Sequence, residues 1–227
     1  MAPRVDLRPV TAADRDQVLA WRNSPDARAS RDTDDPITPA AHEAWFEALS
    51  ASEAQRGWII ELDGAPVGLA NLYDIDRRNA RSAWTCFLAD PDRRAGLGSY
   101  VEYWMLEYVF EGLKLAKLWC EVLASNVSVR QLHEAFGFQV EARFRGHAVR
   151  AHKRVDVLGL GLLASDWRAK RAAMAERLRA RGVTPPVVAE SAVVSSPPAT
   201  VPLKTKPRHG RACPGHPCAQ KAQKKPG

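Results

Sequence analysis

The spacing of apolar positions changes several times along the chain, and each change predicts an element. Thr11 and Asp14 open a run with Val18 and Leu19 at helical spacing, continued to Arg22 and stopped by WRNSP. Thr38-Pro39 opens a second helix with Trp45, Phe46 and Leu49 on one face; proline at the first helical position loses no hydrogen bond. The charged residues 26–37 between them predict a loop. The apolar residues then become nearly continuous in GWIIEL (57–62), VGLANLYDI (67–75) and RSAWTCFL (81–88), which predict strands, with Asp63-Gly64 as a hairpin turn. Residues 99–111 return to helical spacing through Val101, Trp104, Tyr108 and Val109 up to Gly112. KLWCEVL (117–123) predicts a buried strand, VSVRQLHEAF (127–136) a helix closed by Gly137, and FQVEARFRG and RVDVLGLGLL two more strands. Ser165 is expected to cap a last helix that Gly182 terminates. The order predicts an α/β domain over residues 1–182: two helices, an antiparallel meander, then strand–helix–strand–helix–strand–strand.

From Val183 to Gly227 the chain is rich in Pro, Ala, Ser and Lys and poor in aromatics, too little to offset the entropy of ordering, so this stretch is expected to be disordered. It also accounts for the charge. The 227 residues carry a net +7, but seven bases against one acid lie beyond Gly182, leaving +1 for the folded part. Nucleic acid is therefore not an expected partner, except as weak polyanion contact through the tail. His209, Cys213, His216 and Cys218 in that tail are crowded and interleaved with prolines, which suits a tetrahedral metal poorly, so no metal site is expected. Cys86 and Cys120 sit in strand-like runs and are expected as buried free thiols. No stretch has the roughly 18 unbroken apolar residues of a membrane span, and MAPRVDLRPV has no apolar core of a secretory signal, so a cytoplasmic protein without a membrane partner is expected.

The junction ADPDRRAGLGSY (89–100) carries the chemistry. A strand runs into two arginines and two spaced glycines before an apolar helix. Backbone N–H groups at a helix N-terminus favour negative charge, Gly96 and Gly98 leave room for it, and Arg93 and Arg94 add counter-charge. A pyrophosphate is the plausible ligand, although such loops also serve to pack a helix closely on a sheet. A Walker loop would need Lys-Ser/Thr after the last glycine, where Ser99-Tyr100 stands, and the spacing is not that of a dinucleotide fingerprint.

Arg93-x-x-Gly96-x-Gly98, followed by NVSVRQLHEAFGF (126–138) with Asn126, Leu132, His133, Gly137 and Phe138, resembles the paired motifs of the GNAT acetyltransferase superfamily. The resemblance spans about residues 5–168 and implies a mixed, mostly antiparallel sheet flanked by helices, with acetyl-CoA as co-substrate. VLAWRNSP (18–25), ITPAAHEAWFEAL (37–49), LHEAFGF (132–138) and RVDVLGLGLLASDW (154–167) narrow it to the amino-sugar N-acetyltransferases of the pseudaminic acid pathway. That implies acetylation of the 4-amino group of a UDP-linked amino sugar. The ribosomal-protein N-terminal alanine acetyltransferases share the layout, and a non-catalytic acyl-CoA sensor is a third possibility. DARASRDTDDPI (26–37) departs from the pattern.

The resemblance also assigns roles. Leu88 would offer its backbone near the thioester, and Arg93, Arg94, Ala95, Gly96, Leu97, Gly98 and Ser99 would hold the pyrophosphate. Asn126 would bond the pantetheine arm, cap its helix, or do both. Many members carry Tyr where His133 stands, so His133 is a candidate acid for the leaving thiolate; the alternative is a packing role. An ordinary histidine pKa of about 6.5 would leave few imidazolium forms at neutral pH. Arg22 and His42 fall on the acceptor side, Arg22 to pair with a phosphate and His42 to bind the sugar or act as a base, unless both merely face solvent. Glu102 and Glu107 are expected to be solvated, as helix glutamates usually are.

Overall fold

The computed structural model describes residues 4–30, 35–89 and 96–188. The chain enters the sheet at once: β1 (Val5–Pro9), which the apolar pattern does not announce, pairs antiparallel with β2 (Arg56–Leu62). A single 3-10 turn then leads into α1 (Arg15–Arg22). Asp14 is the clamp here. Its carboxylate accepts from the Thr11 backbone N–H and hydroxyl, each at 2.8 Å, and from the Arg8 guanidinium at 2.7 and 2.8 Å. The Arg8 bond outweighs burial and holds the Asp14 carboxyl down to about 2.

The expected loop after α1 is partly helical. Pro25, with its fixed φ, starts α2 (Pro25–Ser30), and Ser24 Oγ accepts from Ala27 N at 3.3 Å. The Asn23 amide donates to the Ile37 carbonyl at 2.9 Å and accepts from Ile37 N–H at 2.8 Å, tying the two ends of this segment together. As expected, Thr38 caps α3 (Pro39–Ala51), its hydroxyl accepting from Ala41 N at 3.2 Å.

Strands β2, β3 (Ala65–Asp76), β4 (Arg81–Leu88), β5 (Lys117–Leu123), β6 (Gln139–Arg150) and β7 (Lys153–Leu163) complete a seven-stranded sheet in the order β1-β2-β3-β4-β5-β7-β6. Every neighbouring pair is antiparallel except β4 and β5. These two are joined by α4 (Leu97–Leu106) and a π-helical turn, Glu107–Gly112, and they pair only at Arg81–Lys117, Ser82–Leu118 and Ala83–Trp119. Beyond Ala83 and Trp119 the strands part. The last strands form a longer hairpin than expected, turning at Ala151 and His152, both at positive φ.

Strand alternation sorts the core into layers. Ile60, Ala70, Leu72, Trp84, Leu118 and Leu160 face α4, α5 (Val127–Phe136) and α6 (Ala164–Arg179), where Val101, Met105, Leu106, Phe136 and Trp167 are buried. Ile59 and Leu69 point the other way, onto Val18, Trp21 and Trp45 of α1 and α3. Ser165 lies in the first turn of α6 rather than capping it, since the helix already begins at Ala164. Past Gly182, Val183 and Val188 rest against the main core. The remainder of the expected tail lies outside the described residues.

Candidate active site

The parting of β4 and β5 opens a cleft of about 410 Å³ through the edge-free middle of the sheet. Side-chain alternation divides its walls. Trp84, Cys86, Leu88, Cys120 and Val122 line it with Gly98, Glu102, Asn126 and His133 of the α4/α5 side, whereas Asn71, Thr85 and Glu121 line it with Arg22, Asp26 and Trp45 of the α1–α3 side.

On the α4/α5 side, the sequence explains the geometry. Gly96 adopts φ +82°, a left-handed conformation that favours glycine, immediately before α4. The first helical bond runs from Tyr100 N to Gly96 O at 3.1 Å, so the N–H groups of Leu97, Gly98 and Ser99 precede the helical ladder. A Cβ at Gly98 would stand 3.3 Å from Leu132 Cδ2, so the bare backbone also lets α4 and α5 approach. Gly98 lines the cleft, as do Leu88 at the end of β4 and Asn126 at the start of α5. Asn126 does cap α5: Oδ1 accepts from Val129 N at 3.4 Å. Arg93, Arg94 and Ala95 lie outside the described residues. A parted strand pair, a helix N-terminus and glycines that leave the backbone uncovered fit the extended pantetheine arm and diphosphate of acetyl-CoA.

His133, on α5, is buried at the cleft wall between the rings of Trp84 and Phe138, at centroid distances of 5.6 and 5.1 Å. Its Nδ1 donates to Glu102 Oε1 at 2.8 Å. The expectation that Glu102 and Glu107 are solvated is overturned: Glu102 is 0% exposed and Glu107 6%. Leu97 and Val101 through Phe110 are buried without a break, so this helix has no solvent face on which to place a charge. Burial alone would lower the His133 pKa, but the Glu102 carboxylate, with the nearby Cys120 side chain, holds it up to about 10. An acid that is scarce at neutral pH is therefore not what this ring provides; it is cationic through the neutral range. Of the two cysteines expected to be buried free thiols, Cys120 is buried and Cys86 only partly so, and both are free. Burial and the Glu102 charge push the Cys86 thiol up to about 12.

On the opposite side, the Arg22 guanidinium stacks 4.2 Å over the Trp45 ring and donates to His42 Nδ1 at 3.1 Å. His42 Nε2 donates to the Arg15 carbonyl at 2.9 Å, so both ring nitrogens are engaged. His42 is 1% exposed and is not among the cleft-lining residues; it reaches the cleft only through Arg22. Arg22 thus lines the cleft, whereas His42 lies behind it with both ring nitrogens engaged. Trp45, Trp84, Asn71, Cys120, Glu121 and Glu102 line the cleft without having been singled out as site residues. Only Glu102 left a signal in the sequence, as a lone acid inside the uniformly apolar run GSYVEYWML.

Residues 4–139 match the acetyltransferase (GNAT) domain family. The chain belongs to this family. The expected superfamily and fold are therefore borne out, and the domain is of an acetyltransferase class whose acetyl donor is acetyl-CoA. The SPbeta prophage-derived uncharacterized N-acetyltransferase YokL of Bacillus subtilis (strain 168) is 27% identical over 101 residues, 44% of this chain. The match spans 57% of that relative's length. Among solved structures, the spermidine N-acetyltransferase of Vibrio cholerae in complex with CoA and spermine superposes with a TM-score of 0.68, at 19% identity over 72% of this chain and 98% of that one. A GCN5-related N-acetyltransferase from Brucella melitensis gives a TM-score of 0.61 at 25% identity, covering 75% of this chain and 80% of its own.

Proposed function

We propose that this protein transfers acetyl from acetyl-CoA to the primary amine of a small acceptor, a nucleotide-linked amino sugar of the 4-amino type. The observation that carries the transfer reading is the cleft where β4 and β5 part, with the α4 N-terminus and His133 on one wall and Arg22 and Trp45 on the other. Acetyl-CoA would lie with its diphosphate at the N–H groups of Leu97 to Ser99 and its pantetheine along β4, near Leu88 and Asn126. The acceptor amine, as the free base, attacks the thioester carbon and forms the carbon–nitrogen bond, its nitrogen then releasing a proton to water; the carbon–sulfur bond breaks, and His133 gives a proton to the departing CoA thiolate. A cationic donor beside the thioester also favours the negative charge that develops there.

For the acceptor, the Arg22 guanidinium is held in place by Trp45 and His42, which suits a phosphate, and the half-buried Trp45 ring on the same wall suits a base. A second reading has its own observation. Asp26 and Glu121 also line the acceptor wall, and two carboxylates suit a polyamine. Free-CoA release should be measured with acetyl-CoA and UDP-linked 4-amino sugars, spermidine, spermine and N-terminal alanine peptides. Fastest turnover with the UDP sugars, lost in Arg22→Ala, is the expected result. Preference for a polyamine that survives Arg22→Ala would replace the acceptor, and no CoA release with any amine would remove the transferase reading.

A further inference from the structure

The pair formed by His133 and Glu102 goes beyond the acid step just described, on which it rests. Glu102 projects from α4 and His133 from α5, and both line the cleft. The carboxylate is fully buried, and only one of its oxygens, Oε1, has a partner among the described residues: the His133 Nδ1–H at 2.8 Å. Trp84 and Phe138 hold the ring edge-on and tilted, which leaves little freedom of rotation.

We infer that Glu102 is the positioning residue for His133: by taking the Nδ1–H it fixes the tautomer and the aim of the ring, and leaves Nε2 as the proton-bearing atom for the leaving sulfur. Glu102 touches neither substrate in this scheme. It acts through His133, as a buried carboxylate does when it orients a catalytic imidazole.

Of the other groups around the ring, only Cys120 also favours its charged form, and it carries no carboxylate to take the Nδ1–H. Cys120 of β5 lies beside it, and Cys86 of β4 feels the Glu102 charge. Trp84 and Phe138 carry no charge. On its own helix, Arg130 and Glu134 pair with each other at 3.3 Å. With Glu102 neutralised, the charge that opposes burial is gone and only the Cys120 contact still favours the cation, so the titration should fall from about 10 toward the ordinary value of about 6.5. The proton balance is simple. His133 loses its Nε2 proton to the CoA thiolate and is recharged through solvent by the proton that the acceptor nitrogen releases, before the next turnover.

The test is Glu102→Gln, which keeps the length and an oxygen for Nδ1–H but removes the charge. Histidine-ring NMR gives a readout without turnover: His133 should titrate near 10 in the wild type and near about 6.5 in the variant. Because a ring with a pKa of about 6.5 is only about 3% protonated at pH 8, kcat relative to wild type should fall about 30-fold there. At pH 6 the ring charges without help, and the loss should shrink to under about twofold. KM for acetyl-CoA should not move. Wild-type kcat at pH 8 in the folded variant, or a loss of equal size at both pH values with unchanged titration, would overturn the assignment. If Glu102→Gln does not fold, the wild-type titration decides: near 10 upholds it, and near 6.5 overturns it. Failure of the acid step is separable. Full kcat in His133→Phe would remove the step while a shifted titration in Glu102→Gln would still establish the pairing. An impaired His133→Phe with an unshifted Glu102→Gln titration would remove Glu102 alone.

Discussion

Two glutamates of one helical run, Glu102 in α4 and Glu107 in the π-helical turn that continues it, have the same side chain and nearly the same burial but opposite surroundings. Glu107 is held on both oxygens from α6, by the Trp167 indole N–H at 3.0 Å and by the Arg171 guanidinium. Its cation does not lose its proton in the accessible pH range, and the contact locks α6 across the end of the helix. Glu102 faces the cleft, bonds a histidine that can lose its proton, and has one oxygen, Oε2, without a partner among the described residues. A fully satisfied pair with a permanent cation is architecture. The half-satisfied pair with a titrating cation beside the cleft is where we place the chemistry. Burial by itself does not distinguish them; the partner does.

Alkaline pH should separate the two sites most. The folded His133 value of about 10 lies above the unfolded value, so the stabilising effect of its pair is full below about 6.5 and is lost as pH rises through 10. The slope can reach about 1.4 kcal/mol per pH unit for one proton, several kcal/mol over the window. The Glu107–Arg171 pair contributes nothing to this slope, because the guanidinium stays charged. Urea midpoints from pH 6 to 10.5 should fall in the wild type and equally in Glu107→Ala, but stay flatter in Glu102→Gln; an equally steep fall in Glu102→Gln would break the contrast.

Glu107→Ala comes next. It strands the Trp167 N–H and removes a buried partner of Arg171, and should cost on the order of 3 kcal/mol of stability. Arg171 is half-exposed, which softens the loss on its side. Turnover of the folded protein should be unchanged. A variant that keeps its urea midpoint but loses kcat would place Glu107 with the chemistry after all.

His133→Phe sharpens the functional half of the contrast. It should keep ring volume, fold and acetyl-CoA affinity while lowering kcat on the order of 10²-fold, about 2.7 kcal/mol of transition-state stabilisation. His133→Tyr should recover much of that, because a phenol also stays protonated through the neutral range. Steady-state kinetics from pH 6 to 9 with one amine acceptor check both variants. Full kcat in the Phe variant would leave His133 a packing residue, like the rings around it.

The sequence was most legible where a local rule holds. Helix caps at Thr38 and Asn126, the Asp63-Gly64 turn, the Gly137 stop and the apolar runs of β2–β4 follow from neighbours within a few residues. The glycine junction and the motif from Asn126 onward were enough to indicate the superfamily, because backbone access at a helix N-terminus requires particular residue types at particular spacings. β1 was missed because five residues ending in proline carry too little pattern alone, and pairing with β2 makes the strand. The helical turns of α2 were hidden by charge, since Pro25 and Ser24 act through backbone and cap rather than through an apolar face.

The amino-acid sequence by itself thus determined the order of the elements other than β1 and α2, the family and the residues around the bare backbone at Gly96 and Gly98, all of which depend on local conformation. Only the tertiary structure decided that Glu102 and not Glu107 lines the cleft, that His42 lies behind Arg22 instead of facing it, and that the Glu102 carboxylate sits against His133. Those outcomes depend on distances between residues far apart in the chain, such as the 2.8 Å between Glu102 and His133. The strength of a charge interaction is set by burial and by the nearest partner, and neither is written in the spacing of a single segment.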